Sequence, residues 1–538
     1  MMKSIHRFVP DIIEPFEIST PEEQGIPSQA IIDFFESIRK KDLEVDSIQI
    51  VRNGKLCLNA IAKPYHEESF HRIYSAAKGI VATAILFAIQ EGRFELHSKV
   101  LPLLPQEWIP EDLDERWERL TVYHLLTMTD GHDRDTMFQM WGKSDCWIRT
   151  FFEVKPVHEP GTYFLYDMGA QYVMNEIIAC QTGQTTGEYL EERLFRKIGV
   201  AYTNSFTEPE GLFFSSTMQL RPDGLTRLAQ FYLNKGRWNG EQLLREDLAV
   251  LAGQHHVPSS HFVNGKREGN FAGYALHMWR NKGGGFRFDG GQGQFGLVLP
   301  DENMAVGILS CANNAGEILE IFFDTIFASC YCYPIETDPY AAARLKKMVQ
   351  EFTLGPVGVL PHAEIEQAVS GAVYRLEPNP YGQETVSFTF TENCAPVGTT
   401  DSADEHAAIR AADSMKEYVT IKTTGSAGGK EVLCGLSGEF CENNCGYILT
   451  DKKPEEIADT DHNLGYDENH TLYTGGFRSP NTFEFRMRSE SFLSDHRYVC
   501  EFVGDYMEIR MSNNTVNSRM KYRRKEDAPD IVLRGKKS

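Results

Sequence analysis

The stretch HRIYSAAKGIVATAILFAIQ, residues 71–90, decides how the rest of the chain is interpreted. From Ser75 onward its side chains are almost all small or apolar, no proline interrupts them, and Lys78 is the one charged residue. The pattern predicts a buried helix over residues 75–89 with a serine at its N-terminal end. Because positions three apart share a helix face, the Ser75 hydroxyl and the Lys78 amine can come within hydrogen-bonding reach.

This pair of side chains is suited to acyl transfer. Burial disfavours the ammonium form of lysine, which lowers the pKa of Lys78 and lets a neutral amine accept the proton of Ser75. The helix N-terminus adds free N–H groups and the positive end of a dipole, both suited to a developing oxyanion. We therefore predict that Ser75 is a nucleophile and that Lys78 is its base.

The Ser-x-x-Lys spacing is not specific by itself, since the chain contains it three times. Ser37 precedes Lys40 near the end of an amphipathic helix, and Ser518 precedes Lys521 in a basic segment. Both of those lysines are expected to be solvated and charged, so neither can act as a base. Only the pair within residues 71–90 is followed by a long apolar run.

The composition is that of a soluble globular protein, with 41% hydrophobic and 24% charged residues among 538. Such a length predicts two or three domains. The formal net charge of −22 argues against general binding to nucleic acid or to anionic membranes. A short basic cluster at residues 521–525 is interpreted as a solvated strand end.

Eleven cysteines are scattered without a disulfide framework, which predicts reduced thiols and a cytoplasmic protein. Residues 1–10 lack the apolar core and the small-residue cleavage site of a secretion signal. The apolar run after the serine is too short to span a membrane. The closest cysteine pairs, Cys330 with Cys332 and Cys441 with Cys445, have no second pair at zinc-finger spacing, so no zinc site is expected.

Two elements are predicted ahead of the serine. Residues 28–41 have the apolar periodicity of a helix, and Ser28 can cap its first turn. Residues 46–60 form two alternating runs joined at Asn53 and Gly54, a dipeptide typical of a hairpin turn. Because this strand pair is followed shortly afterwards by the helix that carries the nucleophile, we predict an α/β arrangement.

Several landmarks around the serine resemble one family. LTVYHLLTMTDGH, residues 120–132, is similar to the helix and turn that follow the nucleophile helix in serine β-lactamase-related hydrolases, the superfamily of class C β-lactamases and penicillin-binding proteins. NGKL at residues 53–56 and EGRFELHSKV at residues 91–100 match that family in the same order. The resemblance implies a β-lactamase-like transpeptidase fold of class α/β (α+β), with an antiparallel sheet flanked by helices.

PGTYFLYDMGAQY, residues 160–172, resembles the family segment whose tyrosine lies beside the serine and the lysine. The resemblance implies that Tyr166 carries the proton to the leaving group. A phenol next to an ammonium can also have its pKa lowered enough to serve as a base. Two positions further on, where the family usually has Asn or Ser, the chain has Met168. Asp167 is a candidate replacement, and both residues are expected at the substrate.

GFRFDGGQGQFGLVLP, residues 285–300, resembles the cleft strand of the family and its hairpin. In that alignment Phe288 stands where the family has a cation, Asp289 stands where it has threonine, and Gly290 follows. The resemblance implies that these three residues line the substrate site, and that the N–H of Gly291 joins that of the serine as an oxyanion donor. Because phenylalanine cannot pair with a substrate carboxylate, a β-lactamase proper is disfavoured.

Two other motifs are discounted. Gly291-x-Gly-x-x-Gly296 fits a dinucleotide fingerprint, but a strand and not a helix is predicted after it. GKS at residues 142–144 resembles the end of a phosphate loop, but Met137 stands where that loop needs a glycine. Neither a metal nor an organic cofactor is implied.

The composition changes near residue 335. Residues 335–359 are predicted as a linker with a helix at 340–352, and residues 360–538 alternate with the period of strands. We expect an all-β domain there, either a sandwich or a barrel of the lipocalin-like type that related hydrolases often carry. Residues 397–416 are expected to form a loop. The predicted strands are 372–377, 385–390, 417–422, 482–488, 498–503 and 506–511.

Residues 1–334 are thus predicted to form a serine hydrolase domain that acts on an amide or ester through an acyl-enzyme, as an esterase, amidase or D-aminopeptidase does. Two alternatives stay open. One is a β-lactamase or D-Ala-D-Ala peptidase proper, and the other is a binding protein on the same scaffold that is acylated slowly or not at all. The expected partner is a small-molecule or short-peptide substrate, with no nucleic acid and no membrane. A homodimer stays open as well.

Overall fold

The computed structural model divides into two compact units. The first consists of Met1–Ile61, Glu67–Ser310 and Asn314–Glu351, and the second of Ala62–His66, Cys311–Asn313 and Phe352–Ser538. The structure describes residues 6–140, 144–204, 217–259, 272–312, 314–356, 358–379, 381–392, 417–425, 428–436, 438–444, 448–449, 470–489, 495–513 and 531–538. The predicted loop at 397–416, the Ser518/Lys521 pair, Cys445 and residues 142–143 lie outside these ranges.

Helices of the first unit surround its sheets. They are α1 (Ser28–Lys40), α2 (Ala77–Gln90), α3 (Val122–Leu126), α4 (Met137–Met140), α5 (Trp147–Glu153), α6 (Met168–Thr182), α7 (Thr186–Leu190), α8 (Arg196–Ile198), α9 (Gly224–Leu233), α10 (Glu246–Gly253), α11 (Ala315–Asp324) and α12 (Pro339–Gln350), while α13 (Glu366–Val369) belongs to the second unit. The helices predicted at 28–41 and 340–352 are confirmed as α1 and α12. No helix in the described ranges combines the length and apolar character needed to cross a membrane.

Strands of the first unit are short, and most of them are antiparallel. They are β1 (His6–Phe8), β2 (Glu17–Ile18), β3 (Val45–Arg52), β4 (Lys55–Ile61), β5 (His71–Arg72), β6 (Tyr202–Asn204), β7 (Gln219–Leu220), β8 (Arg237–Trp238), β9 (Glu241–Gln242), β10 (Trp279–Arg280), β11 (Phe286–Gly290), β12 (Gln294–Leu299) and β13 (Met304–Ser310). In the described part, seven of them form one sheet in the order β10-β11-β12-β13-β3-β4-β2. Its only parallel pair among these strands joins β2 to β4.

The central sheet confirms the hairpin predicted at residues 46–60, because β3 and β4 pair directly, with Arg52 opposite Lys55. It also joins distant parts of the chain, since β13 pairs with β3 from Met304 opposite Arg52 to Ser310 opposite Val45. The dinucleotide motif is excluded, because β12 continues as a strand where that motif needs a helix.

Helix α2 is buried on all its faces, as predicted from its sequence. It begins at Ala77, two residues later than expected, and Ser75 lies in a 3₁₀ turn formed by Tyr74–Ala76. The helix packs against β11 at Gly79, where an added Cβ would overlap the Phe288 ring and lie 3.2 Å from Cγ of Met278. Glycine therefore lets the helix approach the sheet closely.

The second unit is a closed β-barrel, the second of the two architectures expected for this region. Its described strands are β14 (Val373–Leu376), β15 (Gln383–Glu392), β16 (Glu417–Gly425), β17 (Gly428–Gly435), β18 (Cys441–Asn444), β19 (His470–Ser479), β20 (Thr482–Ser489), β21 (Asp495–Val503), β22 (Tyr506–Asn513) and β23 (Ile531–Lys537). Every strand predicted in this region is present. A parallel contact between β17 and β19, with Gly435 opposite Thr474, closes the ring of antiparallel pairs. Side chains such as Phe388, Phe483 and Tyr498 fill its core.

The packing of α2 on β11 can be tested with Gly79→Ala. Alanine is normally the better helix former by about 1 kcal/mol, but here its methyl group must displace the Phe288 ring. We expect a net loss of about 1–3 kcal/mol in the free energy of unfolding, measured by urea denaturation. In the double variant with Phe288→Leu the loss should be smaller than the sum of the two single losses. A stabilised Gly79→Ala protein would contradict the close approach.

Candidate active site

The turn that carries Ser75 is held in an unusual conformation. Tyr74 has a φ of 46°, in the left-handed region that non-glycine residues rarely adopt. The Arg72 guanidinium lies 4.4 Å from the centroid of the Tyr74 ring, and the N–H of Ala76 donates to the Ile73 carbonyl at 3.1 Å. Strained backbone of this kind persists only where its surroundings fix it, and it concentrates at functional sites. The Ser75 side chain stays partly exposed.

Lys78 contacts Ser75 as the helical spacing predicts. Its Nζ donates to Ser75 Oγ at 3.0 Å, and the residue is only 1% exposed. Burial lowers the pKa of Lys78 to about 8, although the charges of Asp135 and Asp167 oppose this shift. A substantial fraction of the amine is therefore neutral near physiological pH, as a base for the serine requires.

Tyr166 joins the pair from the segment just before α6. Its side chain is hydrogen-bonded to Ser75, and Lys78 Nζ lies 4.8 Å from the centroid of its ring. The ring also stacks on Trp279, with centroids 5.7 Å apart. The structure thus brings together the three side chains predicted as catalytic.

The expectation that the pKa of Tyr166 is lowered is wrong. Burial raises the pKa of this phenol, and the charges of Asp289 and Asp135 add to the increase, while only the hydrogen bond with Ser75 opposes it. The Lys78 ammonium, whose charge was expected to lower this pKa, is itself prone to lose its proton. Tyr166 is therefore a neutral phenol that can pass on a proton, and Lys78 is the group suited to be the base.

Asp167 caps α6 instead of lining the substrate site. Its carboxylate accepts from the N–H of Gly169 at 2.8 Å and from both the N–H and the hydroxyl of Thr136, at 2.9 and 2.8 Å. The side chain is fully buried, and His132 lies 3.4 Å away. The expectation that Asp167 contacts substrate is corrected, because all of its contacts are internal. Met168, the first residue of α6, is half-buried beside it.

Residues of β11 alternate between the core and the site. Phe288 is 0% exposed and packs against Gly79 of α2, so it belongs to the core and does not line the cleft. Asp289 lies on the opposite face, with its side chain 22% exposed and paired with Arg287 Nε at 2.8 Å. Its charge acts on Tyr166, and its expected contact with the substrate stays a prediction. The correction for Phe288 follows from the two-residue period of a strand.

The end of β11 packs directly on the serine turn. An added Cβ on Gly290 would collide with the Ile73 carbonyl oxygen and lie 3.1 Å from the nitrogen of Ala76. On Gly291 an added Cβ would lie 3.8 Å from Cγ of Tyr74, an ordinary contact distance. The backbone at 290–291 therefore adjoins the backbone around Ser75, the arrangement that two oxyanion donors need.

Sequence reasoning missed Asp135 and His277, which also lie close to Lys78. Burial lowers the pKa of His277 to about 3, with the Lys78 charge as the second cause, and its Nε2–H donates to the Leu125 carbonyl at 3.0 Å. His277 is thus a neutral imidazole. Asp135 is the last residue of a short charged run, residues 133–135, directly after residues 120–132. That run was the one feature of the sequence that could have indicated Asp135.

A buried cluster of Asp130, His132 and Asp167 brings possible metal ligands within 4.8 Å of one another. His132 Nε2 faces the Val154 carbonyl at 2.8 Å, and Nδ1 faces the Asp130 carboxylate at 2.9 Å. Because both partners only accept, both ring nitrogens must donate. Burial alone would lower the pKa of His132, but the carboxylates outweigh it and raise the pKa to about 10. The cluster is therefore an internal ion triad, since this ring has no lone pair left for a metal.

Comparison with known families identifies the class of protein. The sequence model of the Beta-lactamase family matches residues 33–318, which is more than half of the chain. The chain belongs to the Beta-lactamase family, as the landmarks around Ser75 predicted. No curated protein matches it.

The solved structures to which the chain is similar are distant in sequence. A candidate 6-aminohexanoate-dimer hydrolase from Bacillus anthracis is 19% identical, with 64% of this chain and 92% of that chain covered and a TM-score of 0.46. EstA from Arthrobacter nitroguajacolicus Rue61a is 15% identical, with 59% and 99% covered and a TM-score of 0.44. An octameric penicillin-binding protein homologue from Pyrococcus abyssi is 12% identical, with 89% and 97% covered and a TM-score of 0.43.

The contact between β11 and the serine turn can be tested with adjacent glycines. Neither Gly290 nor Gly291 has a positive φ, so alanine meets no backbone strain at either position. We expect Gly290→Ala to reduce the free energy of unfolding by about 1–3 kcal/mol, because the added Cβ pushes β11 away from the turn that carries Ser75. Gly291→Ala should stay within about 0.5 kcal/mol of the unsubstituted protein. Equal losses in urea denaturation would contradict this packing.

Proposed function

We propose that the first unit is a serine hydrolase that cleaves an ester or amide through an acyl-enzyme. The observation that carries the proposal is the 3.0 Å contact between Lys78 Nζ and Ser75 Oγ, combined with the burial of that amine. A lysine that is neutral near pH 8 and bonded to a partly exposed serine has the geometry of an activated nucleophile. The family to which the chain belongs consists of hydrolases of this type.

In the acylation step, Ser75 Oγ attacks the substrate carbonyl carbon while its proton passes to Lys78 Nζ. The carbonyl oxygen becomes negatively charged and is stabilised by the N–H groups of Ser75 and Gly291. When the carbonyl re-forms, the bond to the leaving group breaks. Tyr166 gives its proton to that group and takes up the proton held by Lys78, so both side chains are neutral again. The Tyr166 hydrogen bond with Ser75 supports this role, since it puts the phenol next to the reacting oxygen.

In the deacylation step, water attacks the ester on Ser75, with Lys78 again taking a proton. As the bond between Ser75 Oγ and the acyl carbon breaks, Lys78 returns that proton to Ser75 Oγ and the acid product leaves. Both steps use the same base and the same oxyanion donors, so neither needs a metal or an organic cofactor. Loss of any one of these groups should slow both steps.

The substrate is proposed to be an ester or amide without an acidic recognition group, as for an esterase, an amidase or a D-aminopeptidase. Recognition of an acidic substrate, as in a β-lactamase proper, needs an available cation beside the cleft. Phe288 is in the core, and the Arg287 guanidinium is already bound to Asp289 and to Asn281 at 3.0 Å. These contacts favour the esterase or amidase proposal over that alternative.

The nine described cysteines are all free. This agrees with the proposal of a cytoplasmic enzyme, because the cytoplasm keeps thiols reduced.

Ser75→Ala tests the nucleophile. We expect labelling by a fluorophosphonate probe to disappear and hydrolysis of short p-nitrophenyl esters to fall at least about 10³-fold. D-amino-acid amides and nitrocefin in the same screen distinguish the amidase and β-lactamase alternatives. Ser37→Ala, in the other described Ser-x-x-Lys pair, is the matched control and should keep full activity. A stable adduct without turnover would favour the binding protein, and activity that persists in Ser75→Ala would remove the assignment.

The pH dependence of acylation tests the base. Because Lys78 must be unprotonated to accept the serine proton, kcat/KM should rise about tenfold per pH unit below neutrality and level off above the Lys78 pKa of about 8. Tyr166→Phe should lower the plateau by about 10²–10⁴-fold without moving the midpoint to lower pH. A profile that falls between pH 6 and 8 would contradict a lysine base.

A further inference from the structure

The outer wall of the β-barrel carries a row of polar side chains across three neighbouring strands. Thr474 of β19 lies opposite Arg486 of β20, and Arg486 lies opposite Arg497 of β21. Residues directly opposite each other share one face of a sheet. The residues that alternate with them along the strands, such as Met487 and Tyr498, belong to the barrel core. The row therefore lies on the outside of the barrel.

Positive charge is in excess around this row. In the described part of the chain, the buried Glu484 is the one carboxylate that contacts Arg486 or Arg497. Its Oε1 accepts from Arg486 Nε at 3.4 Å and its Oε2 accepts from Arg497 Nη2 at 3.0 Å, while Arg478 Nε also donates to Oε2. Like charges directly opposite each other on neighbouring strands are destabilising. One shared carboxylate cannot neutralise both guanidinium groups.

Two buried polar atoms of the row, the hydroxyl of Thr474 and Nε of Arg497, have no hydrogen-bond partner among the described residues. The chain at Gly355 covers Thr474, since an added Cβ on that glycine would lie 3.4 Å from Cγ2 of Thr474. Native proteins rarely leave buried polar groups without a partner, so such atoms mark the place of a water, an ion or a ligand. Because a guanidinium nitrogen only donates, the missing partner of Arg497 must be an acceptor.

Both arginines keep donors available for such an acceptor. Arg486 uses Nε for Glu484 and Nη1 for the Leu354 carbonyl at 3.4 Å, and Arg497 uses Nη2 for Glu484. A guanidinium group has more N–H groups than these contacts occupy. The two side chains are 15% and 29% exposed, so part of each is reachable from solvent. Guanidinium groups bind phosphate and carboxylate oxygens in pairs, which suits an oxyanion between the two arginines.

We propose that Arg486 and Arg497 bind a small oxyanion, the phosphate or carboxylate group of a metabolite, on the outer wall of the barrel. The anion supplies the acceptor atoms that Glu484 does not and neutralises two opposed positive charges. Because the formal net charge of the chain is −22, general attraction to anions is not expected, and binding therefore reports a local site. The inference is independent of the proposed function, since none of these residues takes part in that mechanism.

Isothermal titration calorimetry of the full-length protein with inorganic phosphate and, separately, with acetate tests the site at constant ionic strength. We expect saturable binding with a Kd of about 1 mM or tighter, and the anion that binds more tightly identifies the kind of group. Arg497→Gln should weaken this binding at least about tenfold, because charge-assisted hydrogen bonds are lost. Arg510→Gln is the matched control, since it removes the same charge from the neighbouring strand β22, where Arg510 Nη2 binds Glu508 at 3.0 Å. The Kd of the control should stay within about twofold of the unsubstituted value.

Absence of saturable binding by both anions would overturn the inference, because the buried donors would then hold water only. An unchanged Kd in Arg497→Gln, or equal losses in this variant and in the control, would overturn it as well. Should Arg497→Gln fail to fold in a melting experiment, Arg486→Gln replaces it with the same expectation. Ser75→Ala should bind the anion as the unsubstituted protein does, and loss of binding in that variant would place the anion in the proposed active site instead.

Discussion

The chemistry of the first unit depends on the removal of one amine from water. A lysine ammonium is strongly hydrated, and its burial without a full counter-charge is expensive enough to release the proton. The apolar helix α2, the ring of Tyr166 and the neutral His277 surround Lys78 without neutralising it. The same helix sets its distance from Ser75, so one short segment supplies the proposed nucleophile, the proposed base and the low polarity that would activate both.

Charged side chains near that amine are held in ion pairs with one another. The triad of Asp130, His132 and Asp167 holds one cation between two carboxylates and caps α6 at the same time. On the sheet side, Arg287 is 1% exposed and neutralises Asp289. Each of these carboxylates therefore has a cation in direct contact with it.

Much of this architecture could be predicted from the sequence, because its signals are local. The apolar run after Ser75, the Asn53-Gly54 turn and the strand alternation of the second unit each identify an element without reference to the rest of the chain. Phe288 was placed wrongly because a family alignment assigns positions but not faces, and the period of β11 sends this ring into the core. Asp135 was missed because its partners, Met168 and Asp167, lie more than thirty residues away. The direction of the Tyr166 pKa shift depended on the depth of burial, which the sequence does not contain.

The pairing of β13 with β3 has a consequence for synthesis of the protein on the ribosome. Residue 75 leaves the ribosome early, but the sheet that covers its helix is completed only when Ser310 has emerged. Until then Gly79 has no Phe288 to pack against, and the amine of the neighbouring Lys78 remains hydrated and protonated. Throughout the translation of residues 76–310, the nascent chain therefore carries Ser75 without its packed surroundings, and the proposed active site is complete only when the last strands of its own domain arrive.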